Sequence, residues 1–251
     1  MSDTIERFSN RVENYVKYRP RYPKKVLELF EKEMNLRKSS VVADIGSGTG
    51  ISARMFLENG NPVFGVEPNE AMRAAAENFL KDFPNFESIN GTAENTMLSD
   101  ESVDFVVAAQ AFHWFDKMKT RQEFKRILKD KGFVALIWNE RQLDSNDFLR
   151  DYEHFLIKFG TDYEQTRHDN VSEKYLRDFF QTDFAQKSFP NIQTLDFTGL
   201  KGRMLSASYM PTEKDLRFES MITELRSLFA EYEKDSKIDI LYTTNIYYTQ
   251  I

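Results

Sequence analysis

Residues Val41-Val42-Ala43-Asp44-Ile45-Gly46-Ser47-Gly48-Thr49-Gly50 place an apolar, strand-forming run and a carboxylate just ahead of three glycines at alternate positions. Glycine carries no Cβ, so such a loop lets a ligand lie against the backbone and permits the positive φ angles that turn a strand abruptly into a helix. The chemistry that suits it is binding of the adenosyl part of a nucleotide-like cofactor. Two cofactors compete for the site. Gly48-Thr49-Gly50-Ile51-Ser52-Ala53 satisfies the relaxed dinucleotide fingerprint G-x-G-x-x-A, with Glu67 near the distance of a ribose-holding acid. Counted from Gly46, however, Ile51 spoils that fingerprint. Asp44 also weighs against it, because it sits at the strand end where a dinucleotide would bring its anionic pyrophosphate.

A ligand with no phosphate but with a sulfonium and an α-ammonium turns the same carboxylate into an attraction, and S-adenosylmethionine is such a ligand. The run Asp44-x-Gly46-x-Gly48-x-Gly50 followed by Gly65-Val66-Glu67-Pro68 resembles class I S-adenosylmethionine-dependent methyltransferases. Tyr15-x-x-Tyr18-Arg19-Pro20-x-Tyr22-Pro23 is similar to the type 11 subgroup that includes trans-aconitate methyltransferases. The resemblance covers most of the chain. It implies a Rossmann-like α/β fold, with a seven-stranded, mostly parallel sheet, an antiparallel last strand, helices on both faces and a helical lid insertion. It also implies S-adenosylmethionine as cofactor, held by Asp44, Gly46, Ser47, Gly48, Gly50, Glu67, Pro68, Ala93, Glu94 and Gln110. Tyr15 and Arg19, from a first segment lying across the cofactor site, complete that set.

Glu67 ends a strand before Pro68-Asn69, so its carboxylate can accept from both ribose hydroxyls while Asn69 caps the next helix. Gly91-Thr92-Ala93-Glu94 follows the third strand, where the resembled family places residues beside adenine: Ala93 offers a backbone donor and Glu94 an acceptor. Gln110-Ala111-Phe112-His113-Trp114-Phe115 leaves the fourth strand at its carboxyl end, the edge where open α/β sheets bind ligands. His113 is the candidate general base for a hydroxyl or amine acceptor, and Trp114 a candidate wall. A base is not obligatory, since an ionised carboxylate is already a nucleophile. Trp138-Asn139-Glu140-Arg141 and the segment from Lys201 to Pro211, with Arg203 and Tyr209, supply the remaining acceptor-side candidates. An arginine there would hold a carboxylate through two parallel hydrogen bonds.

The elements that must position these residues alternate. Strands are expected at 41–45, 62–67, 86–90, 103–109, 133–139, 192–197 and 238–248, and helices at about 50–59, 69–82, 119–129 and 212–234. Alternating β and α patterns with continuous apolar strands predict a parallel sheet buried on both faces. One domain is expected over 1–251: an N-terminal helical cap at 8–34, a cofactor-binding core at 35–140, a lid insertion at 141–182, and C-terminal strands and helix at 183–251.

Composition narrows the function. A net charge of −6 gives no general attraction to nucleic acid, and the absence of cysteine excludes disulfides, thiolate metal sites and cysteine nucleophiles. His113, His154 and His168 form no compact metal motif. No apolar run approaches the ~20 residues of a membrane span, and Met1 to Asn10 has no apolar signal core, so the cytoplasm is the expected compartment. The expected reaction is methyl transfer to an oxygen, carboxylate or hydroxyl, of a small-molecule acceptor. A nicotinamide-dependent oxidoreductase and a catalytically silent cofactor-binding regulatory protein stand as alternatives. Oligomeric state and acceptor identity are not written in the sequence.

Overall fold

The computed structural model describes residues 11–161, 163 and 173–251. Residues 8–10 of the expected cap, the rest of the start from Met1 to Asn10, His168 and part of the expected lid lie outside the described residues. In chain order the elements are α1 (Val12–Tyr18), α2 (Lys24–Glu33), β1 (Val42–Ile45), α3 (Ile51–Asn59), β2 (Val63–Val66), α4 (Glu70–Phe79), β3 (Phe86–Ile89) and β4 (Val103–Ala109). After a 3-10 turn at Phe112–Trp114 come α5 (Lys117–Ile127), β5 (Leu128–Arg141), α6 (Asp147–Phe159), α7 (Glu173–Phe180), β6 (Ala185–Leu195), α8 (Phe197–Leu205), α9 (Phe218–Tyr232) and β7 (Ile238–Gln250).

The seven strands form one sheet in the order β3-β2-β1-β4-β5-β7-β6. β1 pairs in parallel with β2 and β4, β2 with β3, and β4 with β5. β7 runs antiparallel to both neighbours. Gln142 N bonds the Leu241 carbonyl and Thr244 Oγ1 bonds Asn139 Oδ1, while Gln186 meets Tyr247, Ser188 meets Asn245 and Thr194 meets Asp239. The expected mixed sheet is the one observed.

The chain divides into two compact units. One comprises Arg21–Asn139, Val171–Phe189 and Thr244–Ile251; the other comprises Met1–Pro20, Glu140–Asn170 and Pro190–Thr243. The expected cap therefore divides at Pro20, and the expected lid divides too, since α7 belongs to the first unit with Phe179 and Phe180 buried in its core. In that first unit the two-residue period of the strands sorts the core. Val42, Phe105, Val107, Ala135 and Ile137 face one cluster with Phe30 and Phe56. Ala43, Ile45, Val106, Ala108, Leu136 and Trp138 face the other with Phe112, Phe124 and Phe179. The second unit has its own core, in which Tyr152, Phe155 and Leu156 of α6 join Leu200 and Met204 of α8, Met221 and Leu225 of α9, and Ile240 and Tyr242 of β7. There α1 lies against α8 with the Tyr18 ring over Gly202, in space a Cβ would need.

Local chemistry starts the helices, at Asn69 as expected and at Asn146 and Asp196 besides. Asn69 Oδ1 accepts from Met72 N at 3.1 Å, Asn146 Oδ1 from Leu149 N at 2.9 Å and Asp196 Oδ1 from Gly199 N at 2.7 Å. Three boundaries differ. The predicted strand at 192–197 is an eleven-residue strand from Ala185, largely exposed and carrying Pro190, which only an edge strand tolerates. The helix predicted from Thr212 begins at Phe218, because Asp215 turns the chain by accepting from Arg217 N at 2.9 Å. β5 begins at Leu128, ahead of an irregularity at Lys131, where φ is +63°.

Phe30 is fully buried, with its ring centroid 5.1 Å from Phe56 and 5.7 Å from Phe105. Phe30→Ala should cost about 3–5 kcal/mol in urea denaturation. A loss below about 1 kcal/mol would mean that α2 is not part of the folding unit.

Candidate active site

Between β1 and α3 the chain changes hand three times, with φ of +67° at Gly46, +54° at Gly48 and +84° at Gly50. At Gly46 the conformation is enforced by crowding, since a Cβ would come within 2.6 Å of the Ala111 Cβ. At Gly48 nothing lies within 4 Å of where a Cβ would sit, which leaves an open cradle in front of the backbone. Gly46 N and Ser47 N both donate to the Val66 carbonyl, at 2.8 and 3.2 Å, and fasten the loop to the end of β2.

Two carboxylates flank this loop. Asp44 is completely buried; its Oδ2 accepts from Ser52 Oγ at 2.6 Å, and its Oδ1 has no hydrogen-bond partner. Burial pushes the Asp44 carboxyl up to about 7, with the charge of Glu67 adding to the rise and the bonds from Ser52 and the Ala53 N–H opposing it. Glu67 is half-buried, with Oε2 accepting from Gly48 N at 3.0 Å and Oε1 from Asn69 N at 2.9 Å. Burial raises its pKa too, against those two backbone donors and Arg73. Each Glu67 oxygen retains a lone pair for a further donor. Arg73 steadies this corner by bonding the carbonyls of Glu67 and Pro68 at 2.9 and 2.8 Å and Asn90 Oδ1 at 3.1 Å.

The other cofactor candidates of this unit sit on the turns after β3 and β4. Ala93 is buried and Pro68 exposed, while Glu94 Oε1 accepts from Asp116 N at 2.9 Å, which ties its loop to the start of α5. Gln110 adopts φ +57° and donates from Nε2 to the Asn139 carbonyl at 2.9 Å. The 3-10 turn then buries Phe112 against Phe179, centroids 4.4 Å apart, and leaves Trp114 exposed with His113 half-buried beside it, rings 4.7 Å apart.

Tyr15, Arg19, Arg141, Arg203 and Tyr209 belong to the second unit. The Arg19 guanidinium lies 4.6 Å over the Tyr15 ring and donates through Nη2 to the Ser206 carbonyl at 3.1 Å. Arg203 Nε donates to Tyr242 Oη at 3.2 Å. Tyr152, Tyr209 and Tyr242 all act electrostatically on Arg203.

Two sequence candidates are corrected. Trp138, expected at the acceptor, is 1% exposed and packs its ring on Phe112 and Tyr247 as part of the sheet's core. It shares a strand face with Val134 and Leu136. Arg141, expected to meet the acceptor, is already neutralised: it is ion-paired to Glu153, donates through Nη2 to Tyr163 Oη at 2.9 Å, and lies 5.3 Å over the Tyr152 ring. Sequence reasoning missed Ser52, Glu153, Tyr152 and Tyr242. Only Ser52 carried a local signal, one residue into the helix that the glycine loop starts.

Residues 43–136 match the model of the methyltransferase domain family. A methyltransferase-like protein of Schizosaccharomyces pombe, itself uncharacterized, is 26% identical over 96% of this chain and 93% of its own length. A solved Anaeromyxobacter dehalogenans protein at 19% identity shares the fold, with a TM-score of 0.67 over 93% of this chain and 98% of that one. So does phosphoethanolamine N-methyltransferase 2 of Haemonchus contortus, solved with phosphomonomethylethanolamine and S-adenosylhomocysteine; it is 15% identical with a TM-score of 0.56, over 96% of this chain and 57% of that one. The loop fits an S-adenosyl ligand. Asp44 Oδ1 is a buried acceptor without a donor, Gly48 is open in front, and no basic side chain is bonded to either carboxylate as a phosphate counter-charge. Among the described residues no helix is long and apolar enough to cross a membrane, and no cluster of acids and histidines could hold a metal.

The raised Asp44 pKa gives stability a pH dependence. Unfolded, the group ionises at about 3.9; folded, it keeps its proton to about 7. Between those values the unfolded chain releases a proton that the folded one retains, so ligand-free stability should fall as pH rises, by at most about 1.4 kcal/mol per unit, and level off above pH 7. Asp44→Asn should flatten this decline in urea melts from pH 4.5 to 7.5; parallel declines in both proteins would refute the assignment. Glu67→Ala should weaken S-adenosylhomocysteine binding by roughly 1–3 kcal/mol in calorimetry, by leaving hydroxyls unpaired. Wild-type affinity in that variant would place the ribose elsewhere.

Proposed function

The chain is an S-adenosylmethionine-dependent methyltransferase, and on that premise we propose that its acceptor is a small anionic molecule methylated on oxygen. The carrying observation is Arg203. Its only hydrogen bond among the described residues is from Nε to Tyr242, which leaves both terminal nitrogens for a ligand. Arg141 contrasts with it, because Glu153 already answers its charge. A guanidinium fork matches the two oxygens of a carboxylate, and the hydroxyls of Tyr209 and Tyr152 lie in the same neighbourhood to add donors.

On this reading Asp44, Gly46, Ser47, Gly48, Gly50, Glu67, Pro68, Ala93, Glu94 and Gln110 hold the donor. When bound, S-adenosylmethionine supplies a methyl group on a sulfonium. Asp44 offers a negative charge to its cationic part and Glu67 accepts from its ribose hydroxyls. An ionised carboxylate acceptor needs no base, so alignment and exclusion of water supply most of the acceleration. A hydroxyl acceptor would instead need a base, for which His113 is the candidate. A protein of this kind works in the cytoplasm. The type 11 subgroup similar at Tyr15 to Pro23 agrees with a small acid as acceptor.

A screen of small acids, phenols and macromolecules with labelled donor tests the reading, with carboxylic acids expected to turn over best. Arg203→Lys should raise the acceptor KM about tenfold, because lysine keeps the charge but loses the fork, and should leave donor affinity unchanged. His113→Asn should keep near-normal turnover. A large loss with a shifted pH profile would identify a hydroxyl acceptor instead, and better turnover of neutral or macromolecular acceptors would refute the anionic site.

A further inference from the structure

Arg19, expected beside the cofactor, shares Ser206 with Arg203. The two belong to one unit, and Ser206 links them: its carbonyl accepts from Arg19 Nη2 at 3.1 Å, and its Oγ donates to the Arg203 carbonyl at 2.6 Å. Burial, and after it the charge of Arg203, lowers the Arg19 pKa, so the two cations are within electrostatic reach of one another. Neither forms an ion pair among the described residues. Arg19 Nε is buried without any hydrogen-bond partner, and the Arg203 terminal nitrogens have none.

Both arginines are half-buried, and drawing two like charges out of water together is unfavourable unless an anion accompanies them. The same unit shows how an arginine is settled when its role is structural, in the pairing of Arg141 with Glu153 and Tyr163. Among the described residues the groups that act on Arg19 and Arg203, apart from each other, are the side chains of Tyr15, Tyr152, Tyr209 and Tyr242. Aromatic stacking on Tyr15 and the bond to Tyr242 fix the two guanidiniums in place, which reduces the ordering cost of gripping a ligand.

We propose that Arg19 and Arg203 together form one carboxylate clamp, so that Arg19 serves the acceptor and not the S-adenosyl donor. This deepens the acceptor reading above and rests on it for the identity of the ligand, but the clamp itself can be tested without turnover. Two positive charges make a dicarboxylate a tighter ligand than a monocarboxylate. The planar fork takes carboxylate and phosphate alike, so inorganic phosphate is the competing anion that the titration must separate.

The test uses the whole chain without donor, titrated with malonate, acetate or phosphate against chloride at matched ionic strength, with thermal melting and calorimetry as readouts. Malonate should stabilise the wild type most and acetate less. Arg19→Gln and Arg203→Gln should each weaken malonate binding at least tenfold, and each should melt at or above the wild type when no ligand is present, because a like-charge contact has been removed. S-adenosylhomocysteine affinity should change less than twofold in Arg19→Gln. Arg19→Lys, which keeps the charge and guards against misfolding, should also lose most of the malonate response. Unchanged malonate binding in Arg19→Gln, or a tenfold loss of S-adenosylhomocysteine affinity in that variant, would overturn the clamp, as would a wild type that malonate stabilises no more than chloride. If malonate binds through both arginines while only neutral acceptors are methylated, the clamp stands and the acceptor reading falls.

Discussion

The passage from β1 to α3 has to reverse the backbone's hand between Ile45 and Ile51, and the glycine-rich half of the molecule is arranged around that constraint. Three positive φ angles in so short a span turn the N–H groups of Gly46 and Ser47 onto the Val66 carbonyl and bring the chain back onto the sheet. The same reversal lets Gly48 N reach the carboxylate of Glu67 on the neighbouring strand, so the turn and the end of β2 hold one another. β1 can serve as the anchor because β2 and β4 pair with it on either side and all four of its residues are buried. A carboxylate placed at the end of such a strand has no water to solvate it. Ser52 satisfies one oxygen of Asp44 and leaves the other for a ligand.

Both units draw ionisable groups of opposite type out of water without a bonded counter-ion among the described residues. In the glycine-loop unit it is the Asp44 carboxyl, which burial pushes towards its neutral form. In the other it is the pair Arg19 and Arg203, which cannot discard their protons at neutral pH. The physics differs accordingly. A carboxyl answers desolvation by titrating, whereas a guanidinium answers only by finding a counter-ion. Such sites lower the stability of the empty protein, and the aromatic clusters around Phe30, Phe112 and Tyr152 offset that cost.

Much of the glycine-loop unit was legible in the sequence because its signals are local. Continuous apolar runs marked β1, β4 and β5, and Asn69 marked the start of α4. The edge strand β6 was read short because it buries almost nothing and so shows no apolar run. Trp138 was misread from its chemistry, although its even spacing with Val134 and Leu136 already assigned it to a core face. Arg141 was misread for a different reason. Its partner Glu153 lies a helix away, and nothing at residue 141 announces it. The pairing of Arg19 with the segment at Ser206 joins positions 187 apart, and it is created by packing alone.

Arg11 donates to the carbonyls of Leu205, Ala207 and Met210, closing the end of α8 from nearly 200 residues away. Helix ends are usually capped by neighbours in sequence. This one is capped by a side chain synthesised nearly 200 residues earlier, which must wait without its partner carbonyls until they have been made. Synthesis at about 5–20 residues per second makes that interval on the order of ten seconds or more. Arg11 is therefore placed late for its position in the chain, and for that time the glycine-loop unit can assemble most of its sheet while α1 has nothing to close.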